Sequence, residues 1–250
     1  MRIIIGKIKY RAAGRFWAAT EEQNQNKYGL DKFDIPQSIF DSAPTLPKKM
    51  PLYRNLAESQ KQIVRNINDV FDDLWKKHRK DIDKVLRKLK TIDFRKNWFK
   101  KEIPRITGID WPFQKIYIFP GILNWARVSE NQLCIGIRPK HALKKRNLIP
   151  LLIHELIHIN TWKAKFKQKL SYKKDSAEIA TVLLTNKIIS VMNVEFNTHI
   201  LDQELPSPFV NLEKFIPQFE KILNQSKSYK ELVLKVDSFL KKIEHKLYYT

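Results

Sequence analysis

The sequence predicts an α+β protein in which helices predominate and a small sheet forms near the middle of the chain. Over most of the chain, apolar residues recur at intervals of three and four residues, a pattern that indicates amphipathic helices. Between residues 115 and 139 the pattern changes to two short runs, IYIF and LCIGI, which are rich in β-branched and aromatic residues. These runs predict two strands of one small sheet, and the C-terminal half that follows is predicted to be mostly helical.

Residues 1–53 are expected to form an N-terminal arm or loop region, and residues 54–250 the main domain. The arm opens with a short predicted strand over 2–10 and continues through polar sequence that prolines interrupt. Residues 56–89 predict one amphipathic helix, because their apolar side chains fall on one side and their charges on the other. A shorter helix is predicted over 94–101.

The segment LLIHELIHINTW predicts a long helix over 147–166. Asn147 is a suitable N-cap residue, and Pro150 is tolerated in the first turn of a helix. Apolar residues occur nearly all round this helix rather than on one side, which indicates that it is buried in the domain. Three further helices are predicted over 175–194, 212–223 and 229–247.

The composition of the 250-residue chain excludes several classes of protein. With 43% hydrophobic residues the chain can bury a sizeable core, and its single cysteine, Cys134, excludes intramolecular disulfides and cysteine-based zinc sites. The apolar run at residues 3–5 is much shorter than the roughly 7 to 15 residues of a signal-peptide core. No run approaches the roughly 18 consecutive apolar residues of a membrane span. We therefore expect a cytoplasmic protein without a membrane span.

The positive charge of the chain allows two interpretations. A formal net charge of +21 and an isoelectric point near 9.9 favour a polyanionic partner such as nucleic acid or an acidic protein. Alternatively the charge is compositional, since lysine is spread through the helices and the sequence contains no recognised nucleic-acid module. In that case, binding of nucleic acid or of an acidic partner through the basic surface is weak.

His154, Glu155 and His158 form the pattern H-E-x-x-H, which predicts a metal site. On a helix, a spacing of four residues places both imidazoles on one side, about one turn apart, so that both can reach one ion. Imidazole suits zinc, and zinc hydrolases use three protein ligands and leave a position for water. Glu155 lies about 100° around the helix, where it can reach that water without being a ligand. The alternative is a pair of hydrogen-bonded core histidines with an ion-paired Glu155.

Glu178 is the candidate for the third ligand. It lies twenty residues after His158 in a second apolar segment, DSAEIATVLL, where a lone carboxylate would require a cation. The alternative is a capping box, in which Asp175 is the N-cap and Glu178 reaches back to its backbone N–H. Asp175, Glu195 and His199 are further candidate ligands.

The motif HELIH followed by a glutamate on the next long helix resembles the zincin metallopeptidases, specifically the gluzincin branch. The match covers residues 149–184, and the separation of His158 from Glu178 is similar to that of the thermolysin-like enzymes. The sequence departs from that group at Val182, where an aspartate usually orients a zinc-bound histidine. Asp175 or Thr181 is the candidate to orient that histidine instead.

The resemblance implies a zincin-like fold, with a small twisted sheet packed on the buried active-site helix and a helical half that supplies Glu178. In such a fold the edge strand of the sheet borders the cleft. An extended peptide would add to that edge through backbone hydrogen bonds, and LCIGI, residues 133–137, is the candidate strand. The alternative is an internal strand that has no contact with substrate.

The resemblance also implies an activity, which is hydrolysis of peptide bonds with one zinc ion per chain and Glu155 as general base. Relatives usually add a donor for the oxyanion, and four residues are candidates: Tyr172, His199, Tyr248 and Tyr249. A rival function is a basic nucleic-acid-associated protein whose zinc site is structural or inactive. A third is a scaffold with neither metal nor catalysis. Whether residues 1–53 mask the cleft stays open.

Overall fold

The structure is a computed structural model that describes residues 1–21, 35–42, 53–92, 98–123, 126–137, 145–191 and 212–247. The chain divides into two compact units. The sheet unit comprises Arg2–Asp93 and Lys115–Lys144, and the helical unit comprises Phe94–Gln114 and Lys145–Thr250 together with Met1. A small mixed sheet accompanied by a majority of helices confirms the predicted α+β class.

The sheet has four strands, namely β1 (Arg2–Ile5), β2 (Lys115–Gly121), β3 (Arg127–Ser129) and β4 (Gln132–Gly136). Their order is β1-β2-β4-β3, with β1, β2 and β4 parallel and β3 antiparallel to β4. The two predicted strands are therefore confirmed as β2 and β4, and β1 occupies the start of the strand predicted over 2–10.

Strand β3 was not predicted from the sequence. It joins β4 through the two-residue connection Glu130–Asn131, in which Glu130 adopts a φ of 44°. Such turns usually contain glycine or asparagine at the positive-φ position. Because glutamate occupies it here, the sequence did not indicate a hairpin. The Asn131 amide donates to the carbonyl of Lys115 at 3.1 Å, which attaches the turn to β2.

The expectation that LCIGI forms an edge strand is wrong. Leu133 pairs with Ile118 of β2 on one side and with Val128 of β3 on the other. Gln132, Leu133 and Cys134 are paired on both sides, so their backbone groups are not free to bind a peptide. The alternative interpretation, an internal strand, is the one that the structure supports.

The sheet unit also contains α1 (Lys9–Glu21), α2 (Gln37–Ser42), a 3-10 turn (Tyr53–Asn55), α3 (Glu58–Lys77) and α4 (Arg79–Lys90). The structure thus differs from the expected arm or loop over 1–53, because α1 buries Ala12, Phe16 and Ala19 in the core of this unit. The single helix predicted over 56–89 is divided at His78, whose backbone leaves the helical conformation.

The helical unit contains α5 (Trp98–Thr107), α6 (Lys145–Thr161), α7 (Lys173–Val191), a 3-10 turn (Leu212–Phe215), α8 (Ile216–Asn224) and α9 (Tyr229–Leu247). Helix α6 starts before Asn147, so the predicted N-cap is wrong and Pro150 lies inside the helix. Helix α5 likewise includes Pro104. The predictions for α7 and α9 agree with the structure to within three residues at each end.

Helices α6 and α7 are buried on nearly all sides, as their apolar sequences predict. Buried residues of α6 include Leu152, Leu156 and Ile159, and those of α7 include Ile179 and Leu183. Among the helices of the described residues, none combines the length and the apolar character that crossing a bilayer requires.

Candidate metal centre

Helix α6 carries the three residues of the H-E-x-x-H motif in different environments. The His154 side chain is 5% exposed, whereas the His158 side chain is 26% exposed and Glu155 is half-buried. The two imidazole rings lie 4.7 Å apart at an angle of 75°, and their Nε2 atoms are separated by 3.0 Å. The spacing of four residues therefore brings both nitrogens to one point, as the sequence predicted.

Helix α7 brings Glu178 to the same point. Its Oε1 lies 2.8 Å from His154 Nε2, and its Oε2 lies 3.2 Å from His158 Nε2. Helix α7 begins at Lys173, so Asp175 is inside the first turn and cannot be its N-cap. The alternative of a capping box between Asp175 and Glu178 is therefore wrong.

With the Glu178 carboxylate ionised, protons alone leave one unfavourable contact in this arrangement. Each Nε2 has one lone pair or one N–H, and it faces both the other imidazole and the carboxylate. If both nitrogens carry a proton, two N–H groups face each other. If one lacks a proton, its lone pair faces a carboxylate oxygen. A cation between the three groups interacts favourably with all of them.

The donor set fits a metal ion. His154, His158 and Glu178 form a group whose ligand atoms all lie within 4.8 Å of one another. The shortest distances, 2.8 to 3.2 Å, are close to the separation of about 3.3 Å between ligand atoms of a tetrahedral zinc ion. These three residues would hold the ion, with one position left for water or substrate.

The Glu178 carboxylate is strongly acidic in this environment. Burial raises its pKa, but hydrogen bonds from His154 and His158, together with the charges of these residues, lower it by more. The pKa of Glu178 therefore lies well below its usual range. Its carboxylate is ionised at neutral pH, which is the form in which a carboxylate binds metal.

Asp237 of α9 fixes the start of α7, although the sequence did not single it out. Its buried carboxylate accepts hydrogen bonds from the backbone N–H groups of Ser171 and Tyr172, at 3.3 and 2.7 Å, and from the Ser176 hydroxyl at 3.4 Å. These contacts hold the first turn of α7 and thereby the position of Glu178. The signal in the sequence was a carboxylate between Val236 and Leu240 on the apolar side of an amphipathic helix.

Tyr229, the first residue of α9, contacts both ligand-bearing helices and was also missed. Its buried hydroxyl is hydrogen-bonded to Thr161 of α6 and Thr181 of α7. The two threonine hydroxyls also donate to backbone carbonyls of their own helices, Ile157 and Ala177. Burial raises the pKa of Tyr229, and the charge of nearby Glu178 raises it as well.

The candidates for supporting roles have the following positions. Asp175 is half-buried and, within the described residues, makes no hydrogen bond or ion pair to either histidine, and Thr181 bonds to Ala177 and Tyr229 instead. Tyr172 lies just before α7, and Asp237 binds its backbone N–H. The remaining candidates lie outside the described residues: Glu195, His199, Tyr248 and Tyr249.

The loop between α6 and α7 is basic. Together with the first two residues of α7 it spans residues 162–174, which contain six lysines, all of them exposed, and no acidic residue. Among the described residues none of them forms an ion pair, and Lys163 lies 5.1 Å from the centre of the Phe113 ring. Trp162 at the start of the loop is 48% exposed. This loop is a basic surface at the ends of the two helices that carry the donors.

The chain matches no model of a known protein family, no curated protein and no solved structure. The site therefore has to be interpreted from its own geometry and chemistry.

Proposed function

We propose that this chain is a zinc-dependent metallopeptidase in which His154, His158 and Glu178 hold one zinc ion. The observation that supports this most is the convergence of two imidazole nitrogens and one carboxylate at distances of 2.8 to 3.2 Å. Two histidines and a glutamate are a ligand set of hydrolytic zinc enzymes, which keep one coordination position open. The resemblance to the gluzincins, and with it a zincin-like fold, is part of this proposal.

Glu155 is the residue that would move protons. When bound, zinc supplies Lewis-acid chemistry, because it lowers the pKa of a water molecule and polarises the scissile carbonyl. The Glu155 carboxylate accepts one proton from the attacking water as the carbon–oxygen bond forms. It then delivers that proton to the amine nitrogen as the carbon–nitrogen bond breaks.

The position of Glu155 fits this role. It neighbours His154 on α6 but is not among the three residues whose donor atoms converge, and its half-buried side chain reaches the surface. A structural zinc site is usually closed by four protein ligands and requires no base. An acidic residue beside three ligands is therefore better explained by hydrolysis than by a structural site.

The substrate is proposed to be a peptide or protein. Strand addition, which the resemblance implies, would use an outer strand of the sheet, and among the described strands the outer ones are β1 and β3. Of the candidate oxyanion donors, Tyr172 is the one that the structure describes. Tyr229 is 3% exposed and is not available to a substrate.

Metal content and chelator-sensitive cleavage test the proposal. Purified protein should contain one zinc per chain by plasma mass spectrometry, and it should cleave an unfolded protein substrate. Chelation should abolish cleavage, and zinc should restore it. Less than half an equivalent of zinc with no uptake on addition would contradict the metal assignment. Iron in place of zinc would point to a different chemistry, since two histidines and a carboxylate also bind iron.

The rival function, a nucleic-acid-associated protein with a structural or inactive zinc site, is favoured by the net charge of +21 and by the basic loop. It predicts bound zinc without cleavage of any member of a broad peptide library. It also predicts nucleic acid retained through purification, seen as a high ratio of absorbance at 260 to 280 nm that salt lowers.

A further inference from the structure

The basic loop, residues 162–174, concentrates positive charge more than the chain as a whole. Six of its thirteen residues are lysine and none is acidic, whereas the 250 residues of the chain include 47 lysines and arginines and 26 acidic residues. Like charges on one short segment repel each other, and an anionic partner removes that repulsion. The overall composition of the chain therefore does not account for this surface.

The lysines of the loop also differ from cations on neighbouring helices. In α5 the Arg105 guanidinium lies 2.6 Å from a carboxylate oxygen of Glu102. In α9 the Lys235 ammonium lies 2.7 Å from a carboxylate oxygen of Glu231. The six lysines of the basic loop form no such ion pair within the part of the chain that the structure describes. Their ammonium groups are therefore available to a partner.

Hydrogen bonds hold the backbone of the loop at both ends. Where the loop leaves α6, the Ala164 N–H donates to the Thr161 carbonyl at 2.8 Å. Where it reaches α7, the Asp237 carboxylate accepts from the N–H groups of Ser171 and Tyr172. An anchored loop loses less conformational freedom on binding than a free one, so more of the contact energy contributes to affinity.

The loop begins and ends close to the proposed metal centre. His158 is three residues before the last residue of α6, and Glu178 is five residues after the first residue of α7. At a rise of about 1.5 Å per residue, these donors lie about 5 and 8 Å from the helix ends along the axes. Exposed charges act over about 8 Å at physiological salt. A chain held by the loop is therefore near enough to enter the metal centre.

A cavity of about 460 Å³ lies where the loop leaves α6. Lysines of two elements line it, namely Lys163 of the loop and Lys230 in the first turn of α9, and Asp110 is the acidic residue of its lining. The Lys163 ammonium also lies 5.1 Å from the centre of the Phe113 ring, a cation–π contact that restrains it. Two ammonium groups against one carboxylate leave the cavity positive, so it suits an acidic side chain.

We propose that the basic loop docks an acidic segment of a protein chain, and that one of its carboxylate side chains enters the cavity lined by Lys163 and Lys230. The inference rests on the proposed function, because it assigns the docked segment to the substrate of the metallopeptidase. The substrate class is then a protein with several glutamates or aspartates beside the cleaved bond. Attraction between the lysines and these carboxylates raises the rate of encounter and selects against basic substrates.

The loop suits a polypeptide better than a nucleic acid. It contains no arginine, the residue whose planar fork matches phosphate oxygens. Nucleic-acid surfaces also present aromatic side chains on which bases stack, and in the loop Trp162 is the exposed one. Lysine ammonium groups without a stacking surface fit the separate carboxylates of an acidic peptide.

Fluorescence anisotropy with synthetic probes tests the docking surface directly. The acidic probe is a fluorescein-labelled ten-residue peptide of alternating glutamate and glycine. A peptide with glutamine in place of glutamate and an oligothymidylate of the same charge are compared with it. Binding is read on the full chain in a Glu155→Gln background, so that the probe stays intact.

The variants separate the loop from the general charge of the unit. The loop variant combines Lys165→Gln, Lys167→Gln and Lys169→Gln. The cavity variant is Lys230→Gln. The matched control removes three exposed lysines from α7, α8 and α9 of the same unit: Lys187→Gln, Lys221→Gln and Lys242→Gln.

The parent and the control should bind the acidic probe saturably, with an affinity that falls as salt rises, and the glutamine peptide should not bind. The loop variant should bind the acidic probe about 10-fold more weakly, because three exposed ion pairs are lost. The cavity variant, which loses one pair, should bind it about 2-fold to 5-fold more weakly.

Cleavage with Glu155 intact tests whether the docked segment belongs to a substrate. Two fluorogenic peptides share one cleavable core and differ in having glutamate or glutamine on both flanks. Wild type and the control should cleave the acidic peptide with a kcat/KM about 10-fold higher, and the loop variant should cleave both about equally. Binding of the acidic probe without cleavage of either peptide would contradict the peptidase and leave the docking surface in place.

Four results would overturn the docking surface or its link to the substrate. The first is no saturable binding of the acidic probe by the parent. The second is an equal loss of affinity in the loop variant and the control, or a loss in neither. The third is tighter binding of the oligothymidylate than of the acidic probe, which would make the loop a nucleic-acid surface. The fourth is equal cleavage of the two peptides by wild type. An unchanged affinity in the cavity variant would remove the cavity from the site.

Discussion

The metal centre of the helical unit and the arginine cluster of the sheet unit both bring charged side chains together in half-buried surroundings, but they differ in sign and origin. The metal centre combines two imidazoles with a carboxylate, and its residues lie on α6 and α7. The arginine cluster, Arg11, Arg15 and Arg127, contains one sign of charge and comes from α1 and β3. Arg127 lies more than a hundred residues after Arg11 and Arg15 in the chain.

The difference in sign gives the two clusters different electrostatic environments. In the metal centre the carboxylate is ionised and two nitrogens face one point, so we propose that a cation completes the site. In the arginine cluster burial lowers the pKa of Arg15, the charges of Arg127 and Arg11 lower it further, and Cys134 and Glu130 act in the opposite direction.

The largest expected effect is on catalysis at the metal centre. Glu155→Gln keeps the size of the side chain but cannot accept a proton, so zinc content should be unchanged while peptide cleavage falls about 10² to 10⁴-fold. Glu220→Gln, on the exposed side of α8, is the matched control and should cleave normally. Release of zinc from Glu155→Gln would make Glu155 a ligand. Unchanged cleavage would remove it from the mechanism.

The next effect is on metal affinity. Glu178→Ala removes the carboxylate that contacts both histidines, so zinc affinity, measured by competition with a chromogenic chelator, should fall by orders of magnitude. If zinc affinity is retained, the third ligand has to be sought among Asp175, Glu195 and His199.

A smaller effect is expected from the residue that fixes the start of α7. Asp237→Ala leaves two backbone N–H groups and the Ser176 hydroxyl without their acceptor, which should lower the free energy of unfolding by about 1–3 kcal/mol. Urea denaturation measures this free energy. Asp237→Asn, which keeps one acceptor oxygen, should lower it by less than Asp237→Ala does. Equal stability of Asp237→Ala and wild type would show that these hydrogen bonds do not hold α7.

Tyr229→Phe should have a similar but weaker effect, because it removes one hydroxyl and leaves the ring in place. The loss of its contact with Thr161 and Thr181 should lower the free energy of unfolding by about 0.5–1.5 kcal/mol. Tyr10→Phe, at an exposed position of the sheet unit, is the control and should be neutral. A loss no larger than that of the control would mean that the Tyr229 hydroxyl does not join the two helices.

The smallest effect is expected for nucleic acid. If the net charge of +21 is compositional, binding to DNA or RNA, measured by fluorescence anisotropy, should be weak and should fade steeply between low and physiological salt. Submicromolar binding that persists at physiological salt would favour the rival function. Reversing the charge of Lys165 and Lys167 would then test whether the basic loop is responsible.

Several elements were predictable because their signals are local. The strands β2 and β4 and the helices α7 and α9 follow from periodicity within each segment. Element boundaries were less accurate: α6 starts two residues before Asn147, and one predicted helix is divided at His78. Strand β3 was not predicted because its turn places Glu130, rather than glycine, at a positive φ.

By itself, the sequence determined the candidate ligands, because a spacing of four residues on a helix brings His154 and His158 together whatever surrounds them. The role of Glu178 as the third ligand was inferred because its carboxylate lies in an apolar helix. Its contact with both histidines depends on how α7 packs against α6. Tertiary structure alone decided the role of Asp237, which bonds to residues more than sixty positions away, and the assembly of the arginine cluster. Such contacts depend on packing between distant segments, which the periodicity of a single segment does not encode.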